Sequence, residues 1–221
     1  MSPRQLDLLT IVSIPFEENT FVVQISQHDD CVVIDPGLEP EKIIDELENR
    51  RLSPAAILIT HAHGDHIGGN RALKDRWPDC PLVIGVNEAA KLTNPKANLS
   101  SMFGFDLTSP PADVTLAHGQ TYSAAGIDFE VREIPGHSSG HIVYLVRRPK
   151  PIWVFVGDVI FSGSVGRTDF PDGSFEALAD GIHRELFTLP DDTQLFPGHG
   201  PATTVGREKR TNPFVGLATD E

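Results

Sequence analysis

The sequence predicts an α+β fold in which two β-sheets pack face to face with helices on their outer sides. Apolar runs of strand length alternate with stretches of helical periodicity. Each half of the chain runs strands first and a helix afterwards, without a residue-level repeat between the halves. With 221 residues and 39% hydrophobic content the chain can bury a sizeable core, and one domain over residues 1–221 is expected.

Residues 6–14, 20–26 and 31–34 read as three successive strands, the last closed by Asp35-Pro36-Gly37, and they are expected to form an antiparallel meander. Residues 39–51 place Ile43, Ile44 and Leu47 at helical spacing amid charge. Residues 57–60 return to strand; a helix over 66–76, a strand over 82–86 and a short helix near 88–92 follow. Residues 93–111 lack periodicity, hold Met102, Phe103 and Phe105, and read as a long loop of the kind that covers a site. In the second half, 127–134, 141–147 and 152–156 read as strands, 174–187 as a helix and 193–196 as a final strand. A short helix is expected within 201–210.

The formal charge of −13 argues against holding a nucleic-acid backbone, which needs clustered lysine and arginine. No apolar run is long enough to span a bilayer. The apolar run over 8–14 follows Asp7 and precedes Pro15-Phe16-Glu17-Glu18, so it reads as a strand rather than a signal peptide. Cys31 and Cys80 lack the spacing of a disulfide framework or a thiolate metal site. A cytoplasmic protein with a small-molecule substrate and neither nucleic-acid nor membrane partners is the expectation.

Chemistry concentrates in Thr60-His61-Ala62-His63-Gly64-Asp65-His66, directly after the run Ala55-Ala56-Ile57-Leu58-Ile59. In extended chain alternate side chains share a face, so His61 and His63 can approach one cation together while Asp65 and His66 serve a second. Three more candidates sit where strands stop: His137 in Pro135-Gly136-His137, Asp158 after Gly157, and His199 between Gly198 and Gly200. His61, His63 and His137 would give one cation three nitrogens. Asp65, His66 and His199 would give a second two nitrogens and an oxygen, and Asp158 can bridge. A position left open on each ion for a shared hydroxide marks a catalytic rather than a structural site. Imidazole and carboxylate donors without thiolates suit zinc, iron or manganese.

His61-X-His63-X-Asp65-His66, followed in order by His137, Asp158 and His199, resembles the seven-ligand pattern of the metallo-β-lactamase-fold hydrolases along nearly the whole chain. Gly136-His137-Ser138 with Gly140-His141, Gly157-Asp158-Val159-Ile160-Phe161 and Gly166-Arg167-Thr168-Asp169 look most like the short glyoxalase II-like, or hydroxyacylglutathione hydrolase-like, subgroup. The resemblance implies a four-layer αββα sandwich and two divalent metal ions, commonly zinc, with iron or manganese as alternatives. It implies a thioester substrate such as S-lactoylglutathione; Asp65, Asp158 or metal-bound water can relay the proton, and the sequence does not choose among them. Full-length glyoxalase II has a Cys-Gly-His-Glu-Tyr-like segment at its last ligand and a C-terminal helical domain whose basic residues hold glutathione. Here Pro197-Gly198-His199-Gly200-Pro201 stands at that place and 22 residues follow His199, so the resemblance leaves glutathione recognition open.

The remaining residues of note read as supporting groups. Arg167 and Asp169 are expected to brace the site by pairing with each other, and His141 to be a buried partner rather than an eighth ligand. Asp35-Pro36-Gly37 can underlie the metal loop or be a plain turn, and Arg207, Lys209 and Arg210 read as a solvated helix end. The competing functional readings are a mono-iron persulfide dioxygenase-like oxidoreductase, a non-enzymatic metal-binding module and a β-lactamase.

Overall fold

The computed structural model describes residues 5–148 and 150–217; residues 1–4, 149 and 218–221 of the expected 1–221 domain lie outside the described residues. Its first sheet begins with β1 (Leu6–Ser13), β2 (Glu18–Ile25) and β3 (Asp30–Ile34), the antiparallel meander that the sequence predicts. Helix α1 (Pro40–Arg50) then crosses over and buries Ile43 and Leu47, so β4 (Ser53–Ile59) pairs parallel to β3. Helix α2 (Asn70–Arg76) repeats the crossover to β5 (Leu82–Gly85), and β6 (Val114–Leu116) closes the sheet, whose spatial order is the order of the sequence. The near-continuous burial of β4 and β5 follows from parallel pairing, which places helices and a second layer on their two faces.

The second sheet contains β7 (Thr121–Ala124), β8 (Ile127–Glu133), β9 (Ile142–Val146) and β10 (Trp153–Gly157). A small hairpin, β11 (Ile160–Phe161) and β12 (Ser164–Val165), leads to α3 (Phe175–Gly181). The chain returns through β13 (Gln194–Pro197), β14 (Thr203–Thr204) and α4 (Val205–Thr211), giving the order β14-β13-β10-β9-β8-β7.

The sheets meet through one apolar layer that includes Phe21, Leu58, Phe129, Tyr144 and Phe155. Ring centroids of Phe21 and Phe155 lie 5.4 Å apart across it. A second cluster lies between the first sheet and α1 and α2, and a third between the second sheet and α3. The result is the αββα four-layer sandwich, with three apolar interfaces each stabilised by about 1.5–3 kcal/mol per fully buried large side chain.

Several expected boundaries move. The helix expected over 66–76 begins at Asn70, because Gly68-Gly69 bends the chain against the loop after β3: the Gly69 amide donates to Pro36 O at 2.8 Å, and a Cβ on Gly68 would lie 2.6 Å from Leu38. The short helix near 88–92 is a single 3-10 turn, Ala89–Lys91, and another, Ser100–Phe103, interrupts the 93–111 loop. The helix over 174–187 is α3 followed by a wider π turn, Ile182–Leu186. Strands β6, β7, β11, β12 and β14 are too short or too polar to stand out in the sequence.

Strand ends meet at one edge of the sandwich. There the Ile142 amide donates to Thr60 O at 3.0 Å, the Gly198 amide to Gly157 O at 2.9 Å, and the Asn19 amide to Gly198 O at 2.7 Å. These bonds tie together the segments that follow β4, β10 and β13 and precede β9.

Candidate metal centre

The turn after β4 is held from beneath by Asp35, which lies in the left-handed region at φ +50. The Thr60 amide donates to Asp35 Oδ1 at 2.7 Å and the Thr60 hydroxyl to Oδ2 at 2.6 Å. From this anchor His61, His63 and His66 project as buried side chains, while Asp65 is half-buried. His137 comes from the loop after β8, Asp158 from the residue after β10 and His199 from the loop after β13.

All seven side chains singled out in the sequence converge at the joined edge. Ligand-type atoms of three overlapping groups, His61 with His63 and His137, His61 with His66 and Asp158, and Asp65 with His66 and His199, each lie within 4.8 Å of one another. His137 Nε2 stands 2.9 Å from His63 Nδ1. Asp158 is central, with Oδ1 3.4 Å from His66 Nε2 and Oδ2 3.5 Å and 3.6 Å from the Nε2 atoms of His137 and His199. Asp65 Oδ2 lies 3.4 Å from His199 Nε2.

The outer nitrogens of four of these rings are engaged. His61 Nδ1 donates to the Thr60 hydroxyl at 3.1 Å, His66 Nδ1 to Asp35 Oδ2 at 3.1 Å, His137 Nδ1 to Arg167 O at 2.8 Å and His199 Nδ1 to Phe16 O at 3.0 Å. Such partners fix each tautomer and aim the other nitrogen inward. Among the inward atoms, His61 Nε2, His66 Nε2 and Asp158 Oδ1 are buried without a hydrogen-bond partner. Orphaned buried polar atoms are costly unless something binds them, and a cation that takes the place of a proton on His66 does so. There is no room for more side chain: a Cβ on Gly198 would lie 2.5 Å from both Asp158 Oδ1 and His66 Cε1. The donor set therefore fits divalent cations of the zinc, iron or manganese type.

Protonation suits the same role. Burial, reinforced by neighbouring imidazoles, pushes His61 well below its ordinary range and His63 down to about 3, so both rings are neutral. Burial opposes charge on both Asp158 and His66, but their mutual attraction outweighs it, holding the Asp158 carboxyl well below its usual range and raising His66 well above its own, a positive charge that a bound cation would replace. The cysteines take no part: burial pushes the Cys31 thiol up to about 12 and the Cys80 thiol up to about 11.

Around this cluster the structure places the supporting groups. His141 is buried, stacks on His61 with centroids 4.5 Å apart, and accepts the Asp158 amide at 3.1 Å. Arg167 and Asp169 form a two-pronged pair, each contact 2.7 Å. Asp35 is a working partner of the histidines and not only a turn residue. Glu88 is an addition that the sequence reading lacks. Its Oε2 accepts the Ala62 amide at 2.9 Å, and its Oε1 accepts the Ser138 hydroxyl at 2.6 Å and the Gly140 amide at 2.9 Å, so it joins the two histidine loops. It follows β5, at a strand end like the other seven, but a single acid there does not stand out in the sequence.

The chain covers 93% of the hydroxyacylglutathione hydrolase GloC of Haemophilus influenzae, to which it is 35% identical over 207 residues, or 90% of its own length. A solved structure described as the BLEG-1 B3 metallo-beta-lactamase superposes with a TM-score of 0.89 at 35% identity, covering 96% of this chain and 99% of that one. Another, TTHA1623 in a di-iron-bound form, gives 0.80 at 36% identity over 93% and 99% of the two chains. The family model described as the metallo-beta-lactamase superfamily matches residues 14–199, from the β1–β2 turn to the last histidine of the cluster. The chain belongs to the metallo-beta-lactamase superfamily.

Proposed function

We propose that this protein is a hydrolase of thioesters that holds two divalent metal ions in the seven-residue cluster. His61, His63 and His137 would hold one ion, and Asp65, His66 and His199 the other, with Asp158 between them. Two divalent cations so bound lower the pKa of water and stabilise negative charge on a carbonyl oxygen. Zinc is the first choice and iron the alternative, the latter supported by the di-iron-bound relative. The observation that carries the reading is the convergence of buried, unpartnered His61 Nε2, His66 Nε2 and Asp158 Oδ1 on one point. A thioester substrate is supported by the likeness to a hydroxyacylglutathione hydrolase.

The chain's own residues supply position and proton transfer. Asp35 and Thr60 hold His61 and His66 in the orientation described above, and Glu88 keeps the His63 and His137 loops in register. Asp65, the more exposed carboxylate at 20% against 11% for Asp158, takes a proton from water in the cleft and passes it to the departing thiolate. The apolar side chains that the 93–111 segment contributes to the cleft lower the local polarity beside the cluster, which strengthens the charge interactions there.

The test is hydrolysis of S-lactoylglutathione and a panel of simpler thioesters by the metal-loaded protein. Turnover that a chelator abolishes and added zinc or iron restores is the expected result. Oxygen uptake on glutathione persulfide without thioester cleavage would replace the reading with a dioxygenase, and turnover confined to β-lactams would replace it with a lactamase.

A further inference from the structure

The cleft that opens onto His63, Asp65, Asp158 and His199 is walled by apolar side chains rather than by charge. Phe16 comes from the β1–β2 turn, Leu99, Phe103 and Phe105 from the 93–111 segment, Phe161 from β11, and Phe170 from the segment before α3. The volume of about 410 Å³ lies within the range of small-molecule sites. Phe103 meets Phe16 edge-on with centroids 5.2 Å apart, and Ile14 and Met102 beside them in the chain are exposed.

Cationic side chains are scarce on these walls. Arg167 is the one arginine or lysine that lines the cleft among the described residues. Its Nε and Nη2 donate to Asp169 at 2.7 Å, and it lies 4.4 Å over the Phe170 ring. Lys91 is occupied by Glu88, Ser138 and Asp172 at 2.5–2.7 Å. Lys209 and Arg210 pair with Asp191, and neither they nor Arg207 line the cleft. A glutathione moiety brings two carboxylates, for which these walls offer no cationic side chain besides the Asp169-paired Arg167.

We propose, resting on the thioester-hydrolase reading, that this site selects thioesters whose groups flanking the scissile carbonyl are bulky, apolar and uncharged, with Phe103 and Phe105 setting the selectivity. Each methylene buried against such walls is worth about fourfold in affinity.

Calorimetric titration of the protein as purified and after chelator treatment tests this with three thioethers that cannot be hydrolysed: N-acetyl-S-hexylcysteamine, N-acetyl-S-methylcysteamine and S-hexylglutathione. The hexyl cysteamine ligand is expected to bind at least about tenfold more tightly than the methyl one, and S-hexylglutathione no more tightly than the uncharged hexyl ligand. Phe103→Ser and Phe105→Ser should each weaken the hexyl ligand by roughly five- to tenfold and the methyl ligand by less than about twofold. Equal affinity for hexyl and methyl ligands, or a preference of about tenfold for S-hexylglutathione, overturns the proposal. Turnover separates it from the reading beneath it. Hexyl selectivity with no cleavage of either N-acetyl-S-hexanoylcysteamine or S-lactoylglutathione sinks the hydrolase reading and leaves the apolar site standing. Cleavage of both with S-lactoylglutathione favoured does the reverse.

Discussion

Asp35 holds the histidine cluster from beneath. One oxygen takes the Thr60 amide; the other takes both the Thr60 hydroxyl and His66 Nδ1, and that hydroxyl in turn receives His61 Nδ1. One carboxylate thus orients a histidine in each proposed ligand set. Losing such a partner costs about 10–100-fold in metal affinity in comparable centres, and Asp35→Asn is expected to weaken binding by that factor in a chelator competition. Affinity within about twofold of the parent would show that the turn orients the rings without it. In the sequence Asp35 sits in Asp-Pro-Gly, a string that serves as a plain turn equally well, so composition does not distinguish the two roles. The seven cluster residues are legible because imidazoles beside glycine at strand ends have few other uses. Glu88 is not, since one acid after a strand looks like any solvated charge until burial is known.

At the level of elements, long apolar strands and amphipathic α1 are readable from their period, whereas β11, β12 and β14 span two residues each, pair locally and are too short for a period to show. The late start of α2 is tertiary, set by contact of Gly68 and Gly69 with the loop after β3. Charge on the strand surface has a consequence of its own. Glu130 on β8 pairs with Arg147 at 2.5 Å and 2.9 Å and with Arg132 at 2.8 Å and 3.0 Å, and Arg147 foremost lowers its carboxyl from 4.5 to about 2. The folded value lies below the unfolded one, so this contribution is complete above about pH 4.5 and fades as pH falls toward 2. The gap in Tm between the parent and Glu130→Gln should therefore be widest above pH 5 and close near pH 2. A gap that is constant across that range would assign the effect to packing.

For the whole molecule, the sandwich brings four strand ends from two sheets to one edge, and no single stretch of chain could hold the cluster alone. The αββα layering follows from patterning because each half must cover both faces of its sheet. Among the described residues no helix is long and apolar enough to cross a membrane. The central claim is that the cluster holds two metal ions, with Asp158 as the residue that would serve both, and metal stoichiometry tests it most directly. After saturation with zinc or iron and removal of excess by gel filtration, elemental analysis should find two ions per chain in the parent and fewer in Asp158→Ala. One ion or none in the parent, or two in Asp158→Ala with the parent's rate, would contradict it.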